Sequence, residues 1–256
     1  MNLDKIENIF FIGIGGMGMS SLAEYFINEN KNVSGYDRDV SENTNRLENL
    51  GINILFNDSF NDINSRFIDK DDTLIVYTPA IPDSNNLLIE FRSKEFNCLK
   101  RAEVLGLVVR KGKCIAIAGT HGKTTTASIL AHILNSSNIL TTSFIGGILE
   151  NYDTNFLYNG NKLFLVEADE YDRSFLELTP NYACITSIDS DHLDIYNDFE
   201  GVEKGFVSFI NNIEKNGFLI IQENLEFNHP KYGFNPNSDY YIENIRINDG
   251  NYLFDI

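Results

Sequence analysis

The chain has 256 residues, of which 43% are apolar and 12% aromatic, and its formal net charge is −17. This composition is typical of a globular protein with one large or two modest domains, and it excludes a disordered chain. Because non-specific nucleic-acid binding takes clustered Lys and Arg, the acidic balance argues against a nucleic-acid partner, although it leaves nucleotide binding open.

The cysteines and the apolar runs indicate the compartment. Cys98, Cys114 and Cys184 are scattered and have no metal or redox spacing, which predicts small core residues in a reducing environment. No signal peptide precedes the first predicted strand, and no apolar run has the length of a membrane span. The sequence therefore predicts a soluble cytoplasmic protein.

In the N-terminal part, apolar runs alternate with amphipathic stretches, which predicts an α/β domain built on a parallel sheet. The predicted strands are Asn8–Ile12, Asn32–Tyr36, Asn53–Phe56, Thr73–Tyr77 and Cys98–Lys100. The predicted helices are Met19–Asn28, Ser41–Leu50, Asn86–Lys94 and Ala102–Val109.

A glycine-rich turn, Gly13-Ile14-Gly15-Gly16-Met17-Gly18, joins the first predicted strand to the first helix. The pattern is G-x-G-x-x-G, and Asp37 ends the second strand, as in a dinucleotide-binding fold. The same features suit a UDP-sugar, because glycines let the backbone approach any pyrophosphate and a carboxylate can bind any ribose. Glycines that serve only close helix–strand packing are the third interpretation, and all three stay open at this point.

The basic stretch Arg110–Lys113 is the predicted domain boundary, and a phosphate loop follows it. An apolar strand ending at Ala118 runs into Gly119-Thr120-His121-Gly122-Lys123-Thr124-Thr125, which opens a helix. Backbone amides and the helix dipole of such a turn bind phosphate, while Lys123 reaches the terminal phosphates and the Thr124 hydroxyl binds Mg²⁺. The usual pattern has glycine at position 117, where this chain has isoleucine, and an ordinary strand–turn–helix junction is the alternative.

The glycine-rich turn taken alone would suit the cofactor site of an NAD-dependent dehydrogenase. A second phosphate site later in the chain weakens that interpretation. Hydride transfer has no use for a triphosphate loop at the start of a second domain, so the pair indicates one nucleotide-linked substrate and one ATP.

Two clusters of acids follow predicted strands of the second domain. Glu167-Ala168-Asp169-Glu170-Tyr171-Asp172 ends the strand Leu163–Glu167, and Asp189-Ser190-Asp191-His192-Leu193-Asp194 follows the strand Tyr182–Thr186. If the sheet is parallel, both clusters lie at the same edge as the phosphate loop. This arrangement favours Mg²⁺ binding over the alternative, in which the acids are solvated loop residues. His132 and His229 are predicted to be structural or solvated. A strand at Gly217–Ile221, a helix at Phe199–Asn211 and a hairpin over 240–256 with an Asp249-Gly250 turn complete the chain.

Four motifs in this order resemble the Mur ligase family, in particular its L-alanine-adding branch. They are Phe11–Ser20, Ala118–Thr126, Glu167–Leu176 and Asp191–Asp194. The resemblance implies a Rossmann-like UDP-sugar domain at residues 1–108 and a P-loop α/β ATP-binding domain at 109–256. It also implies a third, C-terminal domain, which we expect this chain to lack.

Within each matching motif, the resemblance implies a role for the residue at the corresponding position of this sequence. The resemblance implies that the UDP pyrophosphate contacts Gly15, Gly16, Gly18, Met19 and Ser20. Asp37 would lie near the ribose or uracil, and Thr78 with Pro79 and Ala80 would line that pocket. The ATP phosphates would contact Gly119, Thr120, His121, Gly122, Lys123, Thr124 and Thr125. One Mg²⁺ would bind Thr124 and Glu167, a second Glu167 and His192, and the muramyl carboxylate would face His121 and the Asp169–Ser174 stretch.

The implied activity is ATP-dependent ligation of L-alanine to the carboxylate of UDP-N-acetylmuramate, a step of peptidoglycan synthesis. The carboxylate attacks the γ-phosphate to give an acyl phosphate, which the alanine amine then attacks. The implied catalytic residues are Lys123, Glu167, His192 and His121, in a monomer or homodimer. Three alternatives stay open: a ligase that attaches a tripeptide during wall recycling, a nucleotide-binding fragment without turnover, and an NAD-dependent oxidoreductase.

Overall fold

The computed structural model describes residues 1–189, 196 and 198–256. Its strands in chain order are β1 (Asn8–Ile12), β2 (Asn32–Tyr36), β3 (Asn53–Leu55), β4 (Thr73–Tyr77), β5 (Asn97–Lys100), β6 (Lys113–Ala118), β7 (Thr142–Leu149), β8 (Thr154–Leu157), β9 (Leu163–Glu167), β10 (Tyr182–Ile185), β11 (Phe218–Gln222), β12 (Lys231–Gly233), β13 (Tyr240–Tyr241), β14 (Glu243–Asn248) and β15 (Asn251–Asp255). Its α-helices are α1 (Met17–Asn28), α2 (Glu42–Asn49), α3 (Asn86–Ser93), α4 (Arg101–Val109), α5 (Lys123–Ser136) and α6 (Phe199–Asn211). Short 3₁₀ helices lie at Leu3–Lys5, Phe60–Asp62, Ser65–Ile68 and Tyr171–Glu177.

Internal contacts divide the chain into two compact units. Unit 1 comprises Met1–Gly112 and Ala131–Leu165, and unit 2 comprises Lys113–Leu130 and Val166–Ile256. The division between residues 108 and 109 that the basic stretch suggests stays a prediction.

Unit 1 contains a five-stranded sheet of order β3-β2-β1-β4-β5, with each pair parallel. Every residue of β1 is buried, as expected for a central parallel strand with both faces covered. Phe10 of β1 and Phe91 of α3 belong to an aromatic and aliphatic core, in which their ring centres lie 5.3 Å apart. This strand order is that of the Rossmann fold, in which ligands bind where the order reverses, between β1 and β4.

A β-hairpin, which the sequence pattern did not predict, packs against α1 inside unit 1. Strands β7 and β8 pair antiparallel, and the ring of Phe144 in β7 lies 5.9 Å from that of Tyr25. The buried Asn155 donates from Nδ2 to the carbonyl of Met17 at 2.8 Å and accepts from Arg46 at 3.0 Å. The hairpin therefore anchors the first turn of α1, immediately after the glycine-rich turn.

Unit 2 places β6 between β10 and the last two residues of β9, in the strand order β13-β12-β11-β10-β6-β9. Strands β6, β10, β11, β12 and β13 run parallel. The loop after β6 leads directly into α5, so the phosphate-loop sequence sits at the carboxyl end of a strand flanked on both sides.

The predicted C-terminal hairpin is present, but it starts later than predicted. Tyr240–Tyr241 forms β13 and pairs with β12, whereas the hairpin strand β14 begins at Glu243. Asp249 and Gly250 both have positive φ, 50° and 79°, as a two-residue type I′ turn requires.

The predicted fold class is confirmed: an α/β chain with a Rossmann-like parallel sheet followed by a phosphate-loop α/β unit. Among the helices of the described residues, none combines the length and apolarity needed to cross a bilayer.

Candidate functional site

The glycine-rich turn of unit 1 lies at the carboxyl end of β1 and contacts the residues that follow β4. Gly13 has φ +87°, a conformation that favours glycine, and a Cβ there would lie 3.2 Å from Thr78 Cγ2 and 3.1 Å from Ile81 Cδ1. The structure therefore brings Thr78, which the family resemblance assigned to this pocket, against the turn.

Asp37 closes the turn from the carboxyl end of β2. The Gly15 amide donates to Asp37 Oδ2 at 2.7 Å, and Asn43 donates to the Gly15 carbonyl at 2.8 Å. A Cβ on Gly15 would lie 2.9 Å from Asp37 Oδ2 and 2.8 Å from Thr44 Cγ2. The Asp37 carboxylate thus accepts from a backbone amide of the kind that binds anions. The close contacts around Gly15 leave room only for glycine.

The first turn of α1 completes this group. Gly16 is the N-cap and adopts an extended conformation, and Met19 and Ser20 are buried behind it. Ser20 Oγ donates to the Met17 carbonyl at 3.0 Å. Of the predicted UDP-sugar residues, the structure brings together Gly15, Gly16, Gly18, Met19, Ser20, Asp37 and Thr78 in unit 1, whereas Asp169 and Ser174 belong to unit 2.

Sequence reasoning missed Arg101, the first residue of α4. A Cβ on Gly18 would lie 3.0 Å from Arg101 Nη1 and 3.2 Å from Cζ, so the guanidinium lies against the start of α1. The available signal was position: Lys100-Arg101 stands at the carboxyl end of a parallel strand, the edge where ligands bind.

The phosphate loop of unit 2 is supported from behind by the residues that follow β10. Thr186 Oγ1 donates to the carbonyl of His121 at 2.6 Å, and Ser187 Oγ accepts from the His121 amide at 2.8 Å. Gly119 has φ +133°, and a Cβ there would collide with Thr186 Oγ1. Thr186 and Ser187, which sequence reasoning did not assign to the loop, therefore fix its shape.

Lys123 begins α5 and turns back onto its own loop. Its Nζ donates to the Gly119 carbonyl at 2.6 Å, to Glu170 Oε2 at 2.6 Å and to the Thr120 carbonyl at 3.4 Å. The side chains of Lys123 and Glu170 are only 13% and 2% exposed. This is a charge pair largely removed from water, in which each partner depends on the other.

Two predicted metal ligands are adjacent. Thr124 Oγ1 donates to Glu167 Oε1 at 2.7 Å. Neighbouring oxygens around an octahedral Mg²⁺ with bonds of about 2.0–2.1 Å lie about 2.9 Å apart, so this hydroxyl and carboxylate fit a shared ion. The third predicted ligand, His192, lies outside the described residues. Within residues 1–189, 196 and 198–256, no group of three or more His, Cys, Asp or Glu could hold a metal ion.

His121 and Asp189 meet at the mouth of the phosphate loop. His121 Nε2 lies 3.4 Å from Asp189 Oδ2, and both side chains are mostly exposed. The Asp189 amide donates to Thr120 Oγ1 at 3.0 Å, which ties the residues after β10 to the loop. Asp191 and Asp194 of the same cluster lie outside the described residues.

The first acid cluster continues into a strained segment. Asp172 and Arg173 have φ of 50° and 56°, left-handed values that non-glycine residues rarely adopt. Such strain recurs at ligand-binding loops, where the surrounding contacts hold it. Asp169 Oδ1 accepts from the Tyr171 amide at 3.0 Å, and Ser174 lies within the same 3₁₀ helix.

The cysteines and His132 stand apart from these loops. Burial raises the pKa of the Cys114 thiol to about 12 and those of Cys98 and Cys184 to about 11, which leaves them protonated at neutral pH. The His132 ring shares a hydrogen bond with the Tyr152 hydroxyl at 3.0 Å.

Comparisons with known proteins identify the family. The family model described as "Mur ligase family, catalytic domain" matches residues 8–113, and "Mur ligase middle domain" matches residues 117–252. A UDP-N-acetylmuramate–L-alanine ligase of Flavobacterium johnsoniae is 46% identical over 256 residues, and one of Flavobacterium psychrophilum is 47% identical. Both alignments cover 100% of this chain but 57% of the relative.

Solved structures share the fold. The UDP-N-acetylmuramate–alanine ligase MurC of Thermotoga maritima superposes with a TM-score of 0.79 at 28% identity, over 92% of this chain and 54% of that one. A UDP-N-acetylmuramate:L-alanyl-γ-D-glutamyl-meso-diaminopimelate ligase of Neisseria meningitides gives 0.80 at 23% identity, over 89% and 78%. Since the two family models together match most of its residues, the chain belongs to the Mur ligase family.

Proposed function

We propose that the chain takes part in the ATP-dependent ligation of L-alanine to UDP-N-acetylmuramate, with the UDP-sugar at the glycine-rich turn and the ATP phosphates at the phosphate loop. Relatives of 40–47% identity that are named as L-alanine ligases favour this branch over the tripeptide-recycling one. The observation that carries the proposal is the phosphate loop itself, where a buried lysine, a hydroxyl and two carboxylates converge.

At the glycine-rich turn, the UDP diphosphate would contact the backbone from Gly15 to Gly18 and the hydroxyl of Ser20. Asp37 would give up its hydrogen bond from the Gly15 amide and accept one from a ribose hydroxyl instead. Arg101, which lies against Gly18, would supply the positive charge that the turn itself lacks. Thr78 would line the same pocket.

At the phosphate loop, Gly119 to Thr125 would hold the ATP phosphates, and Lys123 would neutralise charge on the transferring phosphoryl group. Thr124 and Glu167 would hold one Mg²⁺, and Glu167 with His192 a second. When bound, Mg²⁺ screens the phosphate oxygens and so favours attack by the sugar carboxylate. His121 and the Asp169–Ser174 stretch would orient that carboxylate.

Binding to this chain tests the assignment of the loops. We expect UDP-N-acetylmuramate to bind in calorimetric titrations and NADH not to bind, which also separates the proposal from an oxidoreductase. NADH binding that UDP-N-acetylmuramate cannot compete away would contradict the proposal.

Turnover is tested in a chimera, because the relatives are longer than the matched region. This chain replaces the matched part of the Flavobacterium johnsoniae ligase, and the product is followed from ATP, L-alanine and UDP-N-acetylmuramate. We expect alanine-dependent phosphate release. A folded chimera that binds both nucleotides yet forms no product would count against the chemistry.

A further inference from the structure

The lysine of the phosphate loop has no donor to spare in this structure. An ammonium has three N–H donors, and Lys123 Nζ has three acceptors: the carbonyls of Gly119 and Thr120, and Glu170 Oε2. A phosphate oxygen can therefore reach Lys123 only if one of these acceptors is given up. Glu170 is the one that carries a full negative charge, and so it competes most directly with phosphate.

The backbone of Glu170 is held by two hydrogen bonds to its carbonyl. Its carbonyl accepts from the Arg173 amide at 3.0 Å and from the buried Tyr196 hydroxyl at 2.7 Å. The Arg173 guanidinium lies over the Tyr196 ring, 5.5 Å from its centre, so that these two side chains pack together beside Glu170. Lys123, by contrast, has a long unbranched side chain, so the lysine is the partner that moves.

Moving the lysine has an electrostatic cost. The Glu170 side chain is 2% exposed, so a departing ammonium gives up an ion pair that is largely removed from water. That cost is subtracted from the affinity of the loop for phosphate. If Glu170 instead stayed paired and oriented Lys123 toward the phosphate, removing the carboxylate would weaken nucleotide binding. The two arrangements predict opposite signs.

We propose that Glu170 is the resting counterion of Lys123 and that nucleotide phosphates bind by displacing its carboxylate from the lysine. This inference rests on the proposed nucleotide role of the phosphate loop and adds a residue to it. Glu170 acts through Lys123, and so it is a positioning residue that sets nucleotide affinity.

The test is equilibrium binding of ADP to the chain, measured by calorimetry for wild type, Glu170→Gln, Lys123→Met and the double variant. We expect Glu170→Gln to bind ADP about tenfold more tightly, because Lys123 then reaches phosphate without giving up an ion pair. We expect Lys123→Met to bind more weakly, and Glu170→Gln to bring no gain in the Lys123→Met background. Glu177→Gln makes the same charge change in the same segment and should alter ADP affinity much less.

Each outcome is decisive. Unchanged or weaker ADP binding by Glu170→Gln, or an equal gain in the Lys123→Met background, overturns the exchange while leaving the proposed function in place. A wild-type chain that binds no ADP contradicts both proposals. Circular dichroism checks folding, and if Glu170→Gln does not fold, Glu170→Asp replaces it: the shorter acid should also tighten ADP binding, and weaker binding overturns the exchange.

Discussion

The glycine-rich turn of unit 1 and the phosphate loop of unit 2 are built alike and charged differently. Each joins a buried parallel strand to a helix, and in each a carboxylate of the chain pairs with a donor that could otherwise bind an anion. In unit 1 that carboxylate, Asp37, accepts a backbone amide from Gly15. In unit 2 it is Glu170, and it pairs with the side chain of Lys123. Under the proposed function, the first loop recognises anions mainly through its backbone geometry, and the second through the side chain of Lys123.

This difference determines which substitutions matter. A loop that works through its backbone is sensitive to any added side chain, whereas a loop that works through a cation is most sensitive to loss of that cation.

Lys123→Ala should lower ATP-dependent alanine ligation in the chimera by about 10³-fold or more, because it removes a charge that stabilises the transferring phosphoryl group. UDP-N-acetylmuramate binding, measured by calorimetry, should be unchanged. Lys113→Ala, at the exposed start of β6, is the matched control and should keep ligation activity. Full activity of Lys123→Ala would rule out the phosphate-loop assignment.

Gly119→Ala should abolish measurable ADP binding and destabilise the chain by about 1–3 kcal/mol, the typical cost of a strained backbone. Its φ is +133° and the new Cβ would collide with Thr186 Oγ1. Gly160→Ala is the control, since Gly160 also has positive φ but nothing lies within 4 Å of the new Cβ. Thermal unfolding and ADP titration measure both effects. Equal ADP affinity in the two variants would show that the collision is unimportant.

Gly15→Ala should weaken UDP-N-acetylmuramate binding about tenfold, a change of about 1.4 kcal/mol. The new methyl group would crowd Asp37 Oδ2 at 2.9 Å and Thr44 Cγ2 at 2.8 Å. At Gly16, the nearest atom to a new Cβ is 3.5 Å away, so Gly16→Ala should not disturb the interior of the turn. A Gly15→Ala variant with wild-type affinity for the UDP-sugar would remove the steric argument for this turn.

Arg101→Met should weaken UDP-N-acetylmuramate binding by about fivefold at low salt, the smallest of these effects, because a single partly solvated charge is lost. The deficit should shrink as ionic strength rises, since salt screens the remaining attraction. Lys70→Met, an exposed cation paired with Glu95, is the control and should bind like wild type. A deficit that does not change with salt would mean that Arg101 acts through packing against Gly18.

The sequence was most informative where chain order and spacing determine structure. The alternation of strands and helices predicted the five parallel strands of unit 1, and the shared sheet edge predicted acids near the phosphate loop, where Glu167 accepts from Thr124. The position of Thr78 at the glycine-rich turn was implied by the family resemblance. The Asp249-Gly250 signal predicted a hairpin turn because both positions need positive φ.

Contacts between segments distant in sequence could not be predicted in this way. The β7–β8 hairpin carries Gly146 and Gly147 within its first strand, which weakens the strand signal, and its packing through Asn155 depends on the tertiary fold. The pairing of Lys123 with Glu170 joins residues 47 positions apart, through side chains whose meeting no local pattern encodes. The acidic run identified the region and left open which acid contacts the lysine.

We propose that the two loops bind different ligands: the glycine-rich turn binds the UDP-sugar and the phosphate loop binds the adenine nucleotide. Calorimetric titration of UDP-N-acetylmuramate and ADP, alone and together, into wild type, Gly15→Ala and Lys123→Ala tests it directly. Wild type should bind both ligands at once, Gly15→Ala should lower the affinity for the UDP-sugar only, and Lys123→Ala should lower the affinity for ADP only. Competition between the two ligands in wild type, or loss of both from either variant, would contradict this proposal.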